Sequence, residues 1–252
     1  APVIMTSLQD IGRARPVTSS PFREWAGFIV LGRAPIGGCN SAVARGSIDC
    51  QQPVEGVTVG TGRPALYGGA TANDNSGRIT FLQIRYPGSF LPGAASGDDY
   101  NGLTLGGVGT GTIINNVQVH NSGDDGIEIF GGAVNLRNIV ITGANDDAFD
   151  CDEGYTGNTQ FLLTIQRTNA GGPESAVECS NRPGSGTGNA ALQTRPTISN
   201  YTFVGLPTNS SGGSIRGIAL DNASAGAGLP GSAGRFYNGV VIGSTRCLAI
   251  EG

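Results

Sequence analysis

One short template recurs six times from residue 101 onward and allows few folds. NGLTLGG (101–107), DGIEIFGG (125–132), DAFDCDEG (147–154), SAVECSN (175–181), RGIALDN (216–222) and RCLAIEG (246–252) each place a small residue before an apolar–outward–apolar triplet. The small positions are Gly102, Gly126, Ala148, Ala176, Gly217 and Cys247. The first apolar column is Leu103, Ile127, Phe149, Val177, Ile218 and Leu248, and the second is Leu105, Ile129, Cys151, Cys179, Leu220 and Ile250. Alternation of this kind is the mark of a strand with one buried face. Between these copies runs a second template headed by asparagine: NVQVHN (116–121), NIVITG (138–143), NYTFVG (200–205) and NGVVIG (238–243), with TQFLLTI (159–165) fitting if Gln160 replaces the asparagine. The strand cores are constant while the spacing between copies varies. That is how a coiled solenoid behaves when insertions loop out at its corners.

The chain is therefore expected to be all-β: a parallel β-helix solenoid of about eight to ten coils, forming a single domain over residues 1–252. Consecutive coils stack ~4.8 Å apart, so equivalent residues form ladders. Asn116, Asn138, Asn200 and Asn238 are expected to form one such ladder at a corner, satisfying the backbone groups of turns. Glycine, at 43 of 252 residues, fits many tight turns. The outermost segments, APVIMTS and CLAIEG, read as strands in mid-fold, so a longer parent chain is expected. Two further strands are expected at Val3–Thr6 and Gly27–Leu31, and another over RITFLQIRY (78–86). No apolar run approaches the ~18 residues of a membrane span. The net charge of −4 argues against a nucleic-acid partner.

The phrases EWAGFIVLGRAPI (24–36), YGGATANDNSGRITFLQIRY (67–86), NGLTLGGVGTGTIINNVQVHNSGDDGIEIFGG (101–132) and NDDAFDCDEGYTGNTQFLLTIQ (145–166) resemble a group of secreted bacterial β-helix proteins without an assigned activity. Their fold is the right-handed parallel β-helix of pectate lyases, many other polysaccharide lyases and adhesins. The resemblance implies a right-handed solenoid and a secreted or cell-surface setting. It does not imply one function, since this fold hosts many.

Chemistry concentrates in one stretch. Asp124–Glu153 holds eight of the nineteen acidic residues and a single base, Arg137. Within the first template the outward residue runs Thr104, Glu128, Asp150, Glu178, Ala219, Ala249. Three carboxylates on adjacent coils would repel by roughly 1 kcal/mol per pair in water, and by more where water is excluded. Calcium, which takes 6–8 oxygen ligands, would relieve this. So would protonation, solvation as turn-capping corners, or arginines reaching in. Asp124, Asp125, Glu128, Asp146, Asp147, Asp150 and Asp152 are the expected metal ligands.

Catalysis is less well supported. A calcium-dependent lyase needs a base near the ion, and the chain has no lysine; Arg137, Arg85, Arg182 and Arg216 are the available candidates. Only Tyr100, Phe130 and Tyr155 lie near the acids as aromatic subsites, and His120, the single histidine, sits in no catalytic motif. The expected function is an extracellular structural, adhesive or glycan-binding protein, calcium-stabilised and able to self-associate into filaments. Its partners would be polysaccharide or further copies. The alternative is a calcium-dependent polysaccharide lyase or a glycoside hydrolase acting on acidic polysaccharide.

Cys39 and Cys50 bracket a short loop and are expected to be disulfide-bonded, the other reading being two free thiols. Cys151 and Cys179 share an inward column on neighbouring coils, where stacked Cα atoms fall within disulfide reach. They are either buried thiols or a staple between coils, and Cys247 is left without a mate.

Overall fold

The computed structural model describes residues 1–11, 21–39, 43–54, 65–91, 99–168, 172, 174–181, 192–221 and 231–251. Two parallel sheets of seven strands each wind into a right-handed β-helix. The first contains β1 (Val3–Met5), β5 (Arg78–Arg85), β7 (Ile113–His120), β9 (Asn135–Thr142), β11 (Asn158–Ile165), β13 (Thr197–Val204) and β15 (Arg235–Ile242). The second contains β2 (Phe28–Leu31), β6 (Leu103–Gly106), β8 (Ile127–Phe130), β10 (Phe149–Asp152), β12 (Ser175–Cys179), β14 (Arg216–Asp221) and β16 (Arg246–Glu251). Each coil contributes one strand to each sheet. A short antiparallel pair, β3 (Gln52–Pro53) and β4 (Leu66–Tyr67), lies outside the stack.

Seven strands per sheet, among the described residues, is fewer than the eight to ten coils that chain length suggested. The difference lies between β2 and β5, where the chain leaves the stack. This excursion carries the Cys39–Cys50 disulfide and builds a small second core of Ile36, Val54 and Tyr67 against Phe130.

The repeat template maps onto the second sheet without slippage. Leu103, Ile127, Phe149, Val177, Ile218 and Leu248 are in register, as are Leu105, Ile129, Cys151, Cys179, Leu220 and Ile250. The stack also has a rung below these: Phe28, Ile29 and Val30 pair with Leu103, Thr104 and Leu105. Leu103, Leu105, Ile127, Ile129 and Phe149 are fully buried against Val117, Val119, Ile139 and Ile141 of the first sheet. The small residue heading each copy has a steric cause. A Cβ on Gly126 would lie 2.3 Å from the Ile141 side chain and 2.5 Å from the Ala148 carbonyl oxygen, because the two sheets close together there.

The asparagine template needs correcting. Asn116, Asn138, Asn200 and Asn238 do not head their strands; each lies at the fourth residue of an eight-residue strand, with φ between 50° and 56°. The left-handed residue bends the strand, so each eight-residue strand of the first sheet has two arms. Register also moves the non-asparagine member. Gln160 pairs with Arg137 and Leu162 with Ile139, so the residue aligned with Asn138 is Phe161, not Gln160. Phe161 (φ 61°) and Phe81 (φ 56°) complete the corner ladder.

Both expected disulfides are present: Cys39–Cys50, with Cα atoms 5.1 Å apart, and Cys151–Cys179, with Cα atoms 4.6 Å apart on paired strands. Cys247 is free and exposed. No helix among the described residues is long and apolar enough to cross a membrane.

Candidate functional site

The site is built by the corner that leads from the first sheet into the second. Each coil turns there just before its second-sheet strand, and the residue before the small position runs Asn101, Asp125, Asp147, Ser175. These side chains act as a relay between coils. Asn101 Oδ1 accepts from the Asp125 backbone N–H at 3.1 Å, and Asp125 Oδ1 accepts from the Asp147 N–H at 2.9 Å. Asn101 also donates through Nδ2 to Glu128 Oε2. The relay stops at Asp147, whose Oδ1 is buried with no hydrogen-bond partner, although its carboxyl shares a hydrogen bond with Glu178. Asn101 was not among the expected site residues. The signal for it was its place in the column before Gly102, where the next two coils carry aspartate.

Glu128, Asp150 and Glu178 are in register on adjacent strands, so the in-strand acidic ladder is real. Two sets of carboxylate oxygens converge, each within 4.8 Å: Asp125, Asp146 and Asp147, and Asp125, Glu128 and Asp150. Asp125 belongs to both. Clusters of buried Asp and Glu side chains that can coordinate a divalent ion are thus present. Asp124 and Asp152 fall in neither set. Asp152 lies at the far end of β10, where it accepts from the Ser180 hydroxyl.

Burial dominates the electrostatics. It pushes the Asp125 carboxyl well above its ordinary pKa, and the charges of Asp150, Glu128, Asp147 and Asp146 add to the shift. Asp147 is likewise raised, by burial first and then by Glu178, Asp146 and Asp150. Asp146 is pushed up to about 7 by burial and by Glu174, Asp124 and Glu178. Glu178 is raised by burial, against the opposing pull of Arg216. The carboxyls of this corner therefore favour their protonated forms more than ordinary Asp and Glu side chains do.

Arg216 is the one candidate base, among the described residues, that reaches the acids. Its Nη2 lies 2.8 Å from Glu178 and 3.0 Å from Glu174. Arg85 is on the first sheet beside Asp10, and Arg137 lies over the Phe161 ring there. Arg182 lies outside the described residues. The aromatic residues expected near the acids are mostly core: Tyr155 is fully buried with its hydroxyl donating to the Val134 carbonyl, and Phe130 packs on Tyr67. His120 Nδ1 lies 2.7 Å from the Thr142 hydroxyl, and burial lowers its pKa, with Arg85 and Arg167 adding to the effect. A second concavity, about 600 Å³, lies on the outer face of the first sheet along the corner ladder.

A family model described as a pectate-lyase like beta helix domain matches residues 1–244. The chain belongs to the pectate-lyase-like β-helix domain family. The match spans nearly all the coils, so in this pectate-lyase-like domain the acidic corner and the bent-sheet groove both lie within the family's fold. No curated protein and no solved structure is detectably similar to this β-helix. Membership assigns the fold, which serves structural, adhesive and enzymatic roles alike.

Proposed function

We propose that the acidic corner is a calcium site that ties successive coils together. In this reading the protein is a secreted or cell-surface β-helix of structural or adhesive role, with polysaccharide or further copies of itself as partners. The observation that carries the cation reading is the Asp147 Oδ1 atom, buried without a hydrogen-bond partner beside Asp125 and Asp146. A buried carboxylate oxygen without a donor is costly, and a hard cation satisfies several such oxygens at once. Calcium fits better than magnesium. The donors are all carboxylate oxygens from three corner and strand positions on two coils, and calcium accepts irregular shells of oxygen ligands. The burial of Asp125, Asp147 and Glu128 supports a tie inside the wall over an open catalytic cleft.

The test is thermal melting at pH 7.5 with calcium and with EDTA, for the parent chain and for Asp147→Asn. Calcium should raise the parent midpoint by several degrees and leave the variant unmoved. An equal midpoint with and without chelator in the parent would sink the reading.

A second reading rests on Arg216. Its guanidinium beside Glu178 is the pairing of base and acidic ladder that a lyase acting on acidic polysaccharide would use. Incubation with uronate polymers, followed by ultraviolet absorbance of unsaturated products, tests it. Turnover lost in Arg216→Ala would replace the structural reading with an enzymatic one.

A further inference from the structure

The corner ladder of the first sheet contains two residues that folding alone does not favour. Phe81, Asn116, Asn138, Phe161, Asn200 and Asn238 all have φ between 50° and 61°. Asparagine suits this left-handed conformation, because its short amide bonds locally and tolerates positive φ. Here it also bonds along the stack: Asn138 Nδ2 donates to Asn116 Oδ1 at 3.1 Å, and Asn238 donates to Asn200. Phenylalanine does neither. A bulky residue held at positive φ costs on the order of 1–3 kcal/mol, and Phe161 interrupts the amide ladder on both sides while Phe81 stands at its end. Nor is the loss recovered by burial, since Phe81 is 61% and Phe161 42% exposed. Strain held at a residue that contributes little to packing is a sign of selection for something other than the fold.

Both rings lie on the same concave surface. The groove of about 600 Å³ runs along the inside of the sheet's bend, with Phe81 and Phe161 in its lining and Asn116 and Asn138 between them. Gln83 and Gln118 line one wall. Three coil steps separate the rings, roughly 14 Å at ~4.8 Å per step. One side of the Phe161 ring is met by Arg137, whose Cζ is 5.5 Å from the ring centroid. Among the described residues no charged side chain lines the groove, Arg137 meeting the Phe161 ring from outside that lining. Its volume is that of a small-ligand site.

We propose that this groove binds an unbranched, uncharged oligosaccharide lying along the solenoid axis. Pyranose rings have apolar C–H faces and hydroxyl edges. The faces match the phenylalanine rings, and the edges match the amides of Asn116, Asn138, Gln83 and Gln118. The neutral lining selects a neutral ligand, because a uronate would give up its hydration with no cation in the lining to receive it. A plain alkyl chain would cover these half-buried amides without giving them partners. The site lies on the other sheet from the acidic corner and does not depend on bound calcium. It names a chemical class for the polysaccharide partner proposed above.

The experiment is ligand-observed saturation-transfer NMR in EDTA. The probes are uncharged hexasaccharides of β-1,4-linked glucose, xylose and mannose, with hexagalacturonate as the charged control. The proteins are the parent chain and the double variant Phe81→Asn, Phe161→Asn, with melting curves for both. The substitutions complete the asparagine ladder, so the variant should melt at the same or a higher temperature while its affinity for the neutral probe falls at least tenfold. That opposition of signs is the signature of residues kept for binding. The proposal is overturned if no neutral hexasaccharide is saturated by the parent, if the variant binds it equally well, or if the variant melts lower. A change confined to sedimentation of the protein alone would overturn it too, by identifying the groove as a contact between copies.

Discussion

The Asp125 carboxylate accepts a hydrogen bond from the backbone N–H of Asp147, its counterpart one coil further along, at 2.9 Å. This contact explains why acidic side chains occupy the inside of a corner at all. A buried backbone N–H needs an acceptor, and a side-chain oxygen from the preceding coil supplies one. Asn101 does the same for Asp125 without charge. Aspartate does it at the cost of gathering carboxylates where water is scarce.

Stability without cations should therefore fall as pH rises. The folded-state pKa values of Asp125, Asp146, Asp147 and Glu178 are raised above their unfolded values. Between about pH 4 and pH 7 the folded chain then holds more protons at this corner than the unfolded chain, and its contribution to stability is lost as pH climbs through that window. Melting curves in EDTA across the window should show a declining midpoint. Calcium should flatten the decline, because the ion replaces the protons. A midpoint in EDTA that rises through this range would contradict the assignment.

The ladder at the sheet bend offers a cleaner separation of causes. Asn138 Nδ2 donates to Asn115 and Asn116, and its backbone is left-handed. Asn138→Gly removes the hydrogen bonds but accepts the backbone, and should cost about 1–2 kcal/mol. Asn138→Ala removes both and should cost about 1 kcal/mol more. Urea denaturation of the two variants measures the difference. Equal losses would mean that the bend imposes no backbone demand.

Much of this was legible in the sequence because a solenoid writes its register once per coil. Six copies of the template fix which residues face inward, and Leu103, Ile127 and Phe149 stack as that pattern requires. The in-strand acids Glu128, Asp150 and Glu178 follow from the same count. The position of the bend was less accessible. A left-handed residue is marked only by residue type, and asparagine marks it where phenylalanine conceals it, so the pattern points to Gln160 where Phe161 is the ladder member. The relay through Asn101 was hidden because it depends on which backbone N–H each corner presents to the coil before it. Asp152 is close to the site in sequence, yet strand alternation and length carry it to the other end of β10.

Of the two disulfides, Cys151–Cys179 should matter more. It joins neighbouring coils in the main core, across a sequence separation of 28 against 11 for Cys39–Cys50. The loop-closure relation gives about 3.6 kcal/mol for the longer loop and about 2.8 for the shorter. Paired substitution of each disulfide to alanine, followed by chemical denaturation, should reproduce that order, with cavity formation deepening the loss at Cys151 and Cys179. A larger loss at Cys39–Cys50 would show that the excursion between β2 and β5 holds the stack together.

Arg167 should be a residue the fold is better without. It follows β11 at the corner, and none of its three guanidinium nitrogens has a hydrogen-bond partner although all are buried. The Phe22 ring, 4.4 Å from its Cζ, is its one aromatic contact among the described residues. Burial, with the charge of the nearby Arg23 adding to it, lowers its pKa to about 10. A base whose folded pKa is depressed opposes folding wherever it is charged, which here covers the whole physiological range. Arg167→Met keeps a flexible apolar stem against Phe22 and removes the charge, so its melting midpoint should rise. Arg167→Ala removes the stem as well and should fall below the methionine variant. A methionine variant less stable than the parent would show that the guanidinium gains more from the Phe22 face than it loses on leaving water.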